Sequence, residues 1–331
     1  MVCSYCKKPI KDFYLTGGKN VYHKECYFNH VAPRCGHCGE VIEGQYVVSS
    51  GKSYHNRCFD AHVALKCDVC GGPLSGKYYV DFYGNKYHEA HKAKLTGCSC
   101  CGRLICEALT QGGRCYSDGR EICTLCHMTA IKTDGQLQAA IKYTSGKLEG
   151  LGLGLDFRSV RYEMVDIDGL RRIMGNRFNH SRSQGAMTLT EETMVNVVAG
   201  NPGRRVSNPG LTRRSIAVYV LYGLSAIRFK CVLAHELTHA WFALHCPHLP
   251  VQVEEGTANL VSSLMLEMIG NEEARYILRS MEDDNDPVYG EGYRRARKHY
   301  EKEGLTGLLA NVCEKKAFSA GLFARLADWL S

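Results

Sequence analysis

The chain has 331 residues, 45% of them hydrophobic and 23% charged, with a formal charge of +7. This length and balance exclude a largely disordered chain and leave room for two or three domains with buried cores. No apolar run approaches the roughly 18 residues that span a bilayer, and the opening MVCSYCKK lacks the apolar stretch of a secretory signal, so the default expectation is a cytoplasmic protein.

Fifteen of the 18 cysteines fall within the first 126 residues. A reducing compartment argues against a disulfide framework, and the spacing argues for zinc. Cys3-x2-Cys6 is followed after 16 residues by His23-x2-Cys26, and the pattern returns as Cys35-x2-Cys38 with His55-x2-Cys58. A third copy, Cys67-x2-Cys70 with His88-x2-His91, keeps a constant step of 32 residues. A fourth, Cys98-x2-Cys101 with Cys123-x2-Cys126, has lost the histidine pair.

Two ligands separated by two residues occupy one tight turn and grip one side of a tetrahedron, and a short hairpin brings the second pair to close it. Each module therefore reads as a β-hairpin unit whose folding free energy comes mostly from a structural Zn2+ without an open position. Twelve of the 18 cysteines are thereby used. Cys100 competes with Cys98 or Cys101, while Cys106, Cys115, Cys231, Cys246 and Cys313 read as buried free thiols. The quartets resemble the LIM domain, a tandem pair of zinc fingers used chiefly for protein docking. A usual LIM domain joins its halves by two residues, whereas the linkers here are 8, 8 and 6 residues long.

Beyond the fingers, residues 130–150 read as a helix, RSVRYEMVDI as a strand and DGLRRIMG as a short helical piece. A Gly- and Ser-containing stretch (175–190) leads into the strand AMTLTEETMVN. NPGRRVSNPG then reads as a loop and RRSIAVYVLYG as a strongly β-branched strand.

His235-Glu236-Leu237-Thr238-His239 is an H-E-x-x-H pattern inside an apolar, helix-period segment without Pro or Gly. Residues i and i+4 share a helix face, so both imidazoles can bind one zinc, and Glu236 is carried beside the metal as a base for its water. VQVEEGTANL follows, and its E-G-x-A pattern resembles the second helix of the gluzincins, whose glutamate completes a His-His-Glu site. That resemblance makes Glu255 the third ligand, with Glu254 as the alternative or a neighbouring carboxylate. Asn259, one turn on, is expected to accept a ring N–H from a ligating histidine. His245 and His248 fit no metal-binding spacing and read as surface residues. An oxyanion donor is sought in DPVYGEGYRRARKHY, where Tyr289 and Tyr293 are the candidates.

The chain is similar to the DA-one family of LIM-domain zinc peptidases. The matching stretches are YHNRCFDAHVALKCDVCGGP, CSCCGRL with DGREICTLC, VYVLYGLSAIRFKCVLAHELTHAW, VEEG and DPVYGEGYRRARKHYEKEGL. The resemblance implies an α+β chain: LIM-like pairs over 1–64 and 65–129, then a zincin-type metallopeptidase domain over 130–331. It also implies one catalytic zinc on His235, His239 and Glu255, four structural zinc ions, Glu236 as base and Tyr289 as the preferred oxyanion donor. Substrates are expected to be proteins, many in the ubiquitin pathway. Plant members often carry ubiquitin-interacting helices ahead of the LIM region, and this sequence opens on the first finger. The competing reading is a LIM-type adaptor with an inactive peptidase domain, against which Glu236 argues, since an inactive relative can lose it without harm to the fold. Nucleic acid is disfavoured as a partner, because thiolates offset part of the positive charge and RRARK (294–298) reads as a solvated helix face. No membrane partner is expected.

Overall fold

A computed structural model describes residues 1–74, 76–156, 160–175, 186–195 and 211–318. The loop expected at NPGRRVSNPG and most of the 175–190 stretch lie outside the described residues. The chain divides into two compact units, Met1–Lys94 and Leu95–Ser331. The first holds three modules. The fourth lies in the second.

The three modules of the first unit repeat one plan. An antiparallel hairpin leads to a short helix: β1 (Tyr14–Gly17), β2 (Asn20–His23) and α1 (Lys24–His30), then β3 (Tyr46–Ser49), β4 (Lys52–His55) and α2 (Asn56–His62). The third is β5 (Tyr78–Val80), β6 (Lys86–His88) and α3 (Glu89–Lys94). Each helix carries the last member of its Cys/His quartet. The apolar core of a module is small; in the second it is Cys35, Ile42 and Tyr54, with Cys58 and Phe59 against it. So little buried surface leaves a metal as the main source of folding free energy.

The second unit opens on the fourth module: α4 (Glu107–Thr110), the hairpin β7 (Gly113–Cys115) and β8 (Glu121–Cys123), and α5 (Thr124–Met128). α6 (Asp134–Gly150) starts later than the expected 130 because Thr133 and Gln136 form a reciprocal capping box. β9 (Val160–Val165), α7 (Ile167–Met174), β10 (Ala186–Val195) and β11 (Leu211–Leu221) follow. The sheet order is β10-β11-β9, with β11 antiparallel to β10 and parallel to β9. Ile216 to Leu221 are all buried, as their β-branched and aromatic run predicts for a central strand.

Among the described residues, four helices follow: α8 (Ala226–His245), α9 (Val251–Ile269), α10 (Glu272–Glu282) and α11 (Gly290–Lys315), the last kinked at Gly304. α8 packs on β10 and β11 on one side and on α9 on the other. Phe229, Leu233, Leu237 and Phe242 of α8 join Leu260, Met265 and Leu266 of α9 in the core. Burial of each such side chain stabilises by about 2 kcal/mol.

Two cysteines depart from the reading as free thiols. Cys246 ends α8 and Cys313 lies in α11, and they form a disulfide with Cα atoms 5.2 Å apart. Their separation of 67 residues hides the pairing until the last helix returns alongside α9. Cys106 is half-buried and Cys115 exposed, so these thiols are not buried as expected, whereas Cys231 is. No helix of the described residues is long and apolar enough to cross a membrane.

Candidate metal centre

α8 begins at Ser225, whose hydroxyl accepts the N–H of Arg228. Ten residues on, His235 and His239 share one face, their ring centroids 4.8 Å apart. α9 brings Glu255 opposite them. The next residue, Gly256, lets α11 cross α9 closely, since a Cβ there would lie 2.4 Å from the carbonyl carbon and oxygen of Gly292. The E-G-x-A pattern is thus a helix-crossing requirement, with a glycine of α9 against a glycine of α11.

Three donor atoms converge. His235 Nε2 lies 3.0 Å from Glu255 Oε2 and 3.0 Å from His239 Nε2, and His239 Nε2 is 3.5 Å from Glu255 Oε2. Two imidazoles and a carboxylate facing one point are a donor set that suits a zinc ion. Glu254 takes the other side of His239, its Oε1 2.8 Å from Nδ1. Of the two adjacent carboxylates, Glu255 joins the convergent trio and Glu254 orients a ring. Burial alone would lower the His239 imidazole, but Glu254 and Glu255 outweigh it and hold it well above its usual value. Burial likewise opposes ionisation of Glu255, yet His235 and His239 hold it well below the carboxylate range. Glu236, 7% exposed, sits next to His235, and its charge acts on His239.

Asn259 does not serve a histidine as expected. Its Nδ2 donates to the backbone carbonyl of Tyr289, 3.3 Å away, tying the start of α11 to the helix of Glu255. Asp286 caps that turn, accepting the N–H groups of Val288 and Tyr289. Tyr289 is half-buried, whereas Tyr293 is 4% exposed, and its hydroxyl bonds Ser263 in the core. His245 and His248 are exposed.

Each finger quartet also converges. In Cys3/Cys6/His23/Cys26, Cys35/Cys38/His55/Cys58, Cys67/Cys70/His88/His91 and Cys98/Cys101/Cys123/Cys126, the donor atoms lie within 4.8 Å of one another. Three histidines repeat one detail the spacing did not reveal. His23, His55 and His88 turn Nδ1 to a cysteine sulfur, at 3.3, 3.4 and 3.6 Å. Nε2–H then donates to the carbonyls of Pro9, Val41 and Pro73. Those acceptors follow the same 32-residue step, and each bond fixes the tautomer that leaves Nδ1 for a metal. Burial and the neighbouring cysteines push Cys26 and Cys58 up to about 11, whereas at Cys3 and Cys35 backbone N–H groups outweigh burial and lower the thiols to about 6 and about 5. Such thiols are ready to bind metal near neutral pH. Cys100 stands outside the fourth quartet.

Cys/His clusters of this kind, in a chain with LIM-containing relatives, define a LIM-like, metal-binding protein. Residues 164–277 match the DA1-like family, described as Protein DA1. Protein DA1-related 2 of Arabidopsis thaliana is 32% identical over 203 residues, 56% of this chain and 38% of that protein. LIM domain-containing protein HDR3 of Oryza sativa subsp. japonica is 25% identical over 364 aligned positions, covering 94% of this chain and 67% of that protein. Protein DA1 of Arabidopsis thaliana is 24% identical, over 94% of this chain and 61% of that protein. The chain is thus similar to the DA1 family over residues 164–277 and, at 24–25% identity, to its LIM-containing and DA1 relatives over 94% of its length. It spans between 38% and 67% of the length of these relatives.

Proposed function

We propose that this chain is a zinc-dependent endopeptidase acting on protein substrates, its second unit a zincin-type catalytic domain and its LIM-like modules docking or regulating substrate. The observation that carries the reading is the convergence of His235 Nε2, His239 Nε2 and Glu255 Oε2, with Glu236 adjoining on the same helix. Zinc bound there would supply Lewis acidity toward a water and a scissile carbonyl.

The chain's own groups do the remaining work. Glu236 accepts the proton of the attacking water and returns it to the leaving amine. Tyr289, anchored through Asn259 and Asp286, donates its hydroxyl to the oxyanion. Glu254 keeps His239 with its proton on Nδ1, so that Nε2 is free for the metal. β10 is paired on one side only among the described residues, and its other edge offers backbone groups to an extended substrate. Four structural zinc ions in the finger quartets complete the metal complement.

Cleavage of a mixed pool of unfolded polypeptides tests this, comparing wild type with Glu236→Gln at equal zinc content. The expected loss on substitution is roughly 10²- to 10⁴-fold, the usual worth of a positioned base. Equal cleavage by both chains would remove Glu236 from the chemistry, and no cleavage by wild type would count against the peptidase reading.

A further inference from the structure

The fourth module differs from the other three in burial. Cys98, Cys101, Cys123 and Cys126 are all buried, whereas Cys38 and Cys70 of the second and third modules are exposed. Residues around them meet the connection from β11 to α8. Arg120 Nη2 donates to the carbonyl of Tyr222 at 2.8 Å. The Tyr116 ring lies over Gly223, where φ is +76° and a Cβ would meet that ring at 2.8 Å. The segment after α5 pairs with the same connection, Ile131 N–H to the carbonyl of Leu224 and Gly223 N–H to the carbonyl of Ile131. Ala226 N–H donates to the carbonyl of Thr129.

The contact continues into the first turn of α8 through Cys100, a fifth thiol in the metal loop, which is fully buried. Its sulfur accepts the N–H of Ser225, the residue that caps α8, at 3.5 Å. Its carbonyl accepts Arg228 Nη2 at 2.8 Å. Ser225 donates in turn to Glu273 of α10. Gly102 packs against Tyr276 of α10, and Arg103 pairs with Glu272 at 2.8 Å. One short loop, its shape set by cysteines 98 and 101, therefore fixes the start of α8 and the face of α10 beside it. Arg228 lies seven residues before His235 on a continuous helix, about 10 Å along its axis.

We propose that the fourth module is a positioning element of the His235–His239–Glu255 site, a metal-held brace on α8. Loss of metal from Cys98, Cys101, Cys123 and Cys126 frees the first turn of α8 and weakens metal binding two turns further on. The proposal rests on the reading of the His235 cluster as a metal site. Coupling between sites in a protein commonly changes affinity by about 5- to 150-fold and is reciprocal, so the two sites stabilise each other.

The test uses the full chain, with zinc counted after a wash in a chelator of fixed strength and amide hydrogen exchange followed over residues 225–235. Cys98→Ser/Cys123→Ser is expected to lose two zinc ions and to exchange faster in that segment. Cys35→Ser/Cys38→Ser, in the other compact unit, is expected to lose one zinc ion and leave the segment protected. Because the first variant can also unfold more broadly, Arg228→Gln isolates the contact with every thiolate retained. It should keep the fourth-module zinc, loosen residues 225–235 and weaken zinc at the His235 cluster at least 5-fold, and Arg228→Lys should recover part of that loss. Loss of one zinc ion by the Cys98→Ser/Cys123→Ser chain, or wild-type zinc affinity at the His235 cluster in Arg228→Gln, would overturn the proposal. Neither readout uses cleavage, so a wild-type chain that cleaves nothing would count against the peptidase reading and not against the brace.

Discussion

His239 meets a carboxylate at each ring nitrogen, Glu254 at Nδ1 and Glu255 near Nε2. The H-E-x-x-H histidines were legible because four residues on a helix return to one face. Glu254 and Glu255 were harder to separate. Adjacent helical positions differ by about 100° around the axis, and one sequence does not say which direction faces its partner. Asn259 was misplaced for a related reason, because its true neighbour, the carbonyl of Tyr289, is 30 residues away and carries no side-chain signature. The division of labour between the two glutamates makes a prediction. Glu254→Ala should weaken zinc at this cluster by about 10- to 100-fold, the usual effect of losing a carboxylate behind a ligating histidine. Glu254→Gln should weaken it less, because its amide oxygen still accepts from Nδ1. Competition against a chelator of known affinity measures both, and an unchanged Glu254→Ala would show that His239 is oriented by something else.

At the scale of elements, the crossing of α9 and α11 decides where Glu255 stands. Alanine at position 256 would gain about 1 kcal/mol of helix propensity. The new methyl would also lie 2.4 Å from the backbone of Gly292, which has no side chain to rotate away. Overpacking of this kind costs typically 1–3 kcal/mol, so Gly256→Ala is expected to lower the thermal midpoint despite the better propensity. It should also move Glu255 and cut cleavage by an order of magnitude or more, since small displacements of a reacting group cost up to about 100-fold. A more stable variant with full activity would show that the helices have room to part. The repeat of the fingers, the central strand and the metal-bearing helix were readable in advance because each rests on a local period. α10 was not anticipated. Nor was the Cys246–Cys313 pairing, which depends on how helices stack and not on any period.

For the molecule as a whole, that pairing has a direct chemical consequence. After unfolding and removal of metal, alkylation should label 16 of the 18 cysteines without reductant and all of them with it. Labelling of every cysteine before reduction would return Cys246 and Cys313 to the free thiols that the sequence suggested. The boundary between units carries a second lesson. The resemblance to paired LIM fingers groups the fourth module with the third, and ligand patterns report how a metal is held and not what covers it. The fourth module, with Cys98, Cys101, Cys123 and Cys126 buried, falls within the second compact unit, Leu95–Ser331.

The central claim is that hydrolysis depends on metal held by His235, His239 and Glu255. It is tested most directly by measuring cleavage as zinc is returned stepwise to the stripped chain, for wild type and for Glu255→Gln. The account predicts that wild type regains activity with the equivalent that fills this cluster, while Glu255→Gln refills its finger sites and stays at least about 100-fold less active. Cleavage by the zinc-free chain, or full recovery in Glu255→Gln, would contradict it.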